Sequence, residues 1–115
     1  MKKIFFLSLL SVLTACATVK LIPPAQADVE RVSSKYPGYS LTDLKSGQAL
    51  FEQTCNRCHR LKNPASRDED QWNKIVPKMI QKLNKKEGNV VIDDKQEQSI
   101  LQYLVTMSGA PKPSK

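Results

Sequence analysis

One short run constrains the fold of this sequence more than any other: Cys55-Asn56-Arg57-Cys58-His59. Residues three and four apart share a face of a helical turn, so Cys55, Cys58 and His59 can all address one ligand. The chain has a single histidine, and its only other cysteine, Cys16, stands far upstream. A zinc ion on these three side chains wants a fourth ligand, and no fourth cysteine or second histidine is close by. A disulfide or a thioredoxin-like pair between the two cysteines expects a strand–helix–strand setting. The flanking sequence carries no strand signals.

Two cysteines separated by two residues, with histidine next in line, form the attachment signature of c-type haem. In that reading the Cys55 and Cys58 thiols add across the two haem vinyl groups, and His59 offers a ring nitrogen to iron. The other nitrogen of His59 is expected to donate to a backbone carbonyl, which fixes the ring. The carbonyl of Pro64, or of a neighbour, is a candidate acceptor. A mature chain of about 100 residues with few large apolar side chains makes a marginal core alone, and a buried porphyrin supplies the missing apolar surface.

Haem joins c-type apoproteins outside the cytoplasm, and the N-terminus agrees with that. Lys2 and Lys3 precede a mainly apolar run from Ile4 to Leu13. About ten residues are too few for a permanent membrane span, which takes roughly 17 to 25. Residues 1–15 therefore read as a secretory signal peptide, removed from the mature protein. Leu13-Thr14-Ala15-Cys16 resembles the lipobox of bacterial lipoproteins, which makes Cys16 the expected lipid attachment point. Ala17 follows, and the absence of aspartate there leans toward outer-membrane sorting. Residues 16–39 are expected to be a lipid-anchored tether with a short helix opening at Pro24 and ended by Pro37-Gly38.

Charge bears on partners. The full sequence has 18 basic and 11 acidic residues, net +7. Losing Lys2 and Lys3 leaves about +5, which suits attraction to acidic redox proteins. No basic stripe interleaves with aromatics, so nucleic acid is not an expected partner.

Three firmer helices are expected within a domain spanning 40–110, followed by a disordered tail at 111–115. The first opens at Ser40, with Asp43 three residues on as the reaching-back partner. It carries Leu44, Ala49, Leu50 and Phe51 into the cysteine motif. The second begins near 66–70, where three acids complement the helix dipole. Trp72, Ile75, Val76, Met79, Ile80 and Leu83 give it helical periodicity. Pro77 is expected to kink this helix or to open its first turns. The third begins at Asp93 with Gln96. Its stripe is Ile100, Leu101, Tyr103, Leu104 and Met107, and Gly109 with Pro111 stops it.

On these residues the chain resembles the monohaem class I cytochromes c, from Leu44 to Met107. Gly47-Gln48-Ala49-Leu50-Phe51 is similar to the family's first helix, and Ile100-Leu101-Gln102-Tyr103-Leu104 to its last. The resemblance implies an all-α cytochrome c-like domain wrapped around one covalent haem. It also implies that the two helices cross at Gly47, with Phe51 and Tyr103 packed there. Class I members usually place the distal methionine in a loop before the last helix, and residues 84–92 contain none. The run from Trp72 to Met79 instead resembles small haem c domains with a tryptophan, a valine and then a methionine on the middle helix. That makes Met79 the implied second iron ligand. Met107 is expected in the core, and Met107 as ligand or an open, lysine-bound or water-bound iron are the alternatives.

The expected function is one-electron transfer by a membrane-tethered, periplasm-facing single-haem protein. A ligand-sensing haem protein with an open site is the rival. An enzyme is not expected, because no distal histidine, carboxylate pair or second haem motif is present.

Overall fold

The computed structural model describes residues 19–112; the expected signal peptide, Cys16 and the end of the tail lie outside that range. The fold is all-α. In chain order come α1 (Gln26–Arg31), α2 (Leu41–Cys55), a 3-10 turn at Pro64–Ser66, α3 (Glu69–Glu87) and α4 (Asp94–Ser108). Among the described residues there is no strand, and no helix is long and apolar enough to cross a membrane.

Local chemistry starts the three long helices. The Asp43 N–H donates to the Ser40 hydroxyl at 3.1 Å, and the Ser40 N–H donates to the Asp43 carboxylate at 2.9 Å. Asp68 with Gln71 and Asp93 with Gln96 repeat this reciprocal exchange at 2.8 to 3.0 Å. Each box satisfies donors that a helix start would otherwise leave orphaned.

Helix α4 is the hub. Helices α1, α2, α3 and the 3-10 turn all pack on it, whereas α2 and α3 do not pack on each other. Leu44, Ile100, Tyr103, Leu104 and Thr106 are fully enclosed, and Phe51, Trp72 and Val76 nearly so. Helix α2 meets α4 at Gly47. A Cβ there would lie 2.5 Å from the Ser99 carbonyl oxygen and 2.8 Å from the Tyr103 Cβ. Next to it the Phe51 and Tyr103 rings stack at 5.4 Å between centroids, tilted by 39°.

Several boundaries differ from the sequence reading. Helix α1 opens at Gln26 rather than Pro24, because the buried Asp28 carboxylate reaches back to the Ala25 N–H at 2.9 Å. Arg31 neutralises Asp28 at 2.8 Å and donates to the Thr106 carbonyl at 3.0 Å, pinning α1 to α4. Within the segment expected to be a tether, Leu21 and Ile22 already pack against the core.

Pro77 lies inside α3 without interrupting it. It withholds one backbone donor, a disruption of about 3 kcal/mol in an isolated helix. Here Trp72, Val76, Ile80 and Leu83 are buried on both sides of it, and their packing holds the helix together. Helix α3 also runs on through Asn84 to Glu87, where Gly88 caps it with a φ of 72° that L side chains rarely adopt. The Asn84 amide then ties down the turn to α4. Its oxygen accepts from the Val91 and Ile92 N–H groups at 2.8 and 3.1 Å, and its nitrogen donates to the Ile92 carbonyl at 3.0 Å.

Candidate functional site

Because α2 and α3 both lie on α4 without touching, a cleft opens between them. Two cavities occupy it. The larger, about 180 Å³, is lined by Thr54, Cys55, Cys58, His59, Met79, Ile80, Lys82 and Leu83. The smaller, about 60 Å³, lies among Phe51, Cys55, His59, Lys62, Arg67, Trp72, Ile75 and Met79. Cys55, His59 and Met79 line both cavities. The sequence motif and the methionine of the middle helix are thus brought to one place from separate elements.

Helix α2 ends at Cys55, so the motif begins on its last turn and runs into a loop. Cys55 is half-buried, Cys58 is exposed, and the two are not bonded to each other. Burial, with Cys58 alongside, pushes the Cys55 thiol up to about 11. It therefore stays protonated at neutral pH, a form poorly suited to drive disulfide exchange. Among the described residues no group of three or more His, Cys, Asp or Glu side chains is arranged to hold a bare metal ion.

His59 is exposed, and its Nδ1 lies 2.8 Å from the carbonyl of Arg60, the next residue. A neutral ring that donates from Nδ1 keeps its lone pair on Nε2, free for a ligand. The acceptor is not Pro64. That carbonyl takes the buried Trp72 indole N–H at 2.9 Å instead. An enclosed indole needs a partner, whereas an exposed imidazole can use the nearest carbonyl in its own loop.

Met79 is half-buried on the α3 wall of the cleft. Trp72 and Ile75 also face the smaller cavity, but Val76 does not line either, being 1% exposed within the core. Met107 is 3% exposed, also in the core, and lines neither cavity.

Sequence reasoning missed several lining residues. Ile80 and Leu83 were readable as helix periodicity but not as cleft walls. Lys82 follows from Met79 by a spacing of three. Lys62 and Arg67 sit on irregular chain around the 3-10 turn, where no periodicity signals direction. The Arg67 guanidinium lies 5.8 Å from the Trp72 ring centroid, within cation–π range.

The donor set fits a flat macrocycle with a central metal. Two thiols, an imidazole and a thioether line the cleft together with apolar side chains. Family models, curated proteins and solved structures give no match to this chain.

Proposed function

We propose that this chain is a single-haem c-type cytochrome, tethered to a membrane by lipid on Cys16, that transfers single electrons between extracytoplasmic redox partners. One observation supports this above the rest: the cleft between α2 and α3 collects Cys55, Cys58, His59 and Met79 around apolar walls. Haem, when bound, supplies a one-electron redox centre. The protein's part is ligation, exclusion of water and docking.

Cys55 and Cys58 would hold the group covalently, and His59 Nε2 would face iron with its ring fixed by the Arg60 carbonyl. Met79 would offer sulfur from the opposite wall, a ligand that raises reduction potential. Phe51, Trp72, Ile80 and Leu83 keep water from the walls. Lys62, Lys82 and Arg67 border the cavities, and this positive rim suits an acidic partner surface. The lipid on Cys16 would keep the domain at a periplasm-facing bilayer, with outer-membrane sorting favoured by Ala17.

The direct test is covalency. Denatured protein extracted with acidified organic solvent should keep its haem on the polypeptide. Haem that leaves with the solvent overturns the proposal.

A further inference from the structure

The chain just after the lipid position is not slack. Residues 19–25 have no regular structure, yet Leu21 and Ile22 are half-buried against the core. Val19, Leu21, Pro23 and Pro24 share a groove with Lys45, Gln48, Glu52 and Asn56, and with Leu61 of the haem-motif loop. Those four later positions recur at spacings of three and four, so they form one stripe along α2. The stripe is about 16 Å long at 1.5 Å per residue. An extended run from 19 to 24 covers about the same length. Prolines at 23 and 24 stiffen it, since each fixes its own φ. Residues 19–24 thus flank α2 across one groove, with Leu21 and Ile22 held against the core, and act as a strap.

We infer that the strap makes a defined face of the domain, the α2 side bearing Lys20 and Lys45, the one held against the lipid surface. The inference rests on lipid attachment at Cys16 as proposed above. Only three virtual bonds separate Cys16 from Val19, a reach of at most about 11 Å. A free tether of 24 residues would let the domain turn in any direction, whereas a docked strap with so short a leader does not. Lys20 and Lys45 are exposed and positive, which favours an anionic bilayer. Helix α3 lies across the cleft from α2, and its exposed Lys74, Lys78 and Lys85 then stay in water.

The test is lysine acylation by a water-soluble reagent, read residue by residue by mass spectrometry. Lipidated holoprotein on vesicles of phosphatidylethanolamine and phosphatidylglycerol is compared with soluble Cys16→Ser protein in the same suspension. Lys20 and Lys45 should react several-fold more slowly in the anchored protein, while Lys74, Lys78 and Lys85 react equally in both. A Gly/Ser insertion of about ten residues before Val19, with a mean span of about 18 Å, should erase that protection. Equal protection on both faces, or protection that survives the insertion, overturns the inference. Intact mass separates the two failures. Lipid present with uniform reactivity defeats only the strap, whereas absent lipid defeats the anchor and the strap together.

Discussion

Helix α2 meets its two neighbours in opposite ways. At Gly47 it presses against α4 so closely that not even a methyl group fits, and Phe51 and Tyr103 lock the crossing. Two turns later, at Thr54 and Cys55, it faces α3 across a cleft lined by Met79, Ile80 and Leu83. The first region is closed by packing and has no use for a ligand. The second gathers the sulfurs of Cys55, Cys58 and Met79 and the imidazole of His59 beside apolar side chains. The contrast teaches that one helix can anchor the fold at its middle and hold a site open at its end. Stability and ligation should therefore respond to different substitutions.

The two methionines test that separation most severely. Met107→Ala empties enclosed core volume, and such truncations cost about 2 to 5 kcal/mol. With haem bound as proposed, the visible spectrum should not change. Met79→Ala should cost less stability, because Met79 is only half-buried, but it should abolish the weak sulfur-to-iron band at the red edge of the visible spectrum. Reduced protein should then take up carbon monoxide. A band that survives Met79→Ala would break the comparison, because the cleft would not be the ligation site.

Gly47→Leu attacks the closed region. Overpacking of this kind costs about 1 to 3 kcal/mol, which for a domain of this size lowers the melting midpoint by about 4 to 8 °C per kcal/mol. Gly47→Ala should fall in the same direction, since its Cβ alone meets the Ser99 carbonyl at 2.5 Å. An unchanged midpoint in both variants would refute the close crossing.

Much of this contrast was legible from sequence. The helix starts at Ser40 and Asp93 rest on side chains within four residues, so they read locally, and the acids at 68–70 marked the start of α3. Gly47, Phe51 and Tyr103 were placed by resemblance, and the cysteine motif with Met79 named the main cleft residues. What escaped was set by distant partners. Pro77 sits inside a helix because packing on both sides outweighs one lost backbone bond. The Pro64 carbonyl went to Trp72 because a buried indole outranks an exposed imidazole. Residues 19–24, Val-Lys-Leu-Ile-Pro-Pro, read as a proline-broken linker until Leu21 and Ile22 are seen packed against the core.

Asn84 illustrates the same limit and gives a third substitution. Its amide makes three hydrogen bonds across the α3–α4 turn. Asn84→Ala removes them all, and at about 0.5 to 1.5 kcal/mol net per bond, partly recovered by water, about 1 to 2 kcal/mol should be lost. Urea titration would measure it. The Met79 band should persist, because this turn lies beyond the cleft. Loss of the band in Asn84→Ala would show that the two regions are coupled.

The smallest effect is expected at the start of α2, and it is a pH effect. The Ser40 hydroxyl, followed by the Ser40 backbone N–H, holds the Asp43 carboxyl below its ordinary value of 3.8. A folded-state pKa lower than the unfolded one means that folding favours the ionised form. That contribution is complete above 3.8 and is lost as pH falls below it toward the folded value. The group is almost fully exposed, so solvent screening keeps the effect modest. Asp43→Asn removes the charge but keeps a side chain able to bond at the helix start. The difference in melting midpoint between wild type and Asp43→Asn should be constant from neutral pH to about 5 and should shrink below 3.8. A difference that stays constant throughout acid would mean that the charge of Asp43 has no part in starting α2. Because the cap stands at the opposite end of α2 from the cleft, the spectrum of the proposed haem should not follow this titration. A spectral change that tracks Asp43 would show that the start of α2 and the cleft at its end respond as one unit.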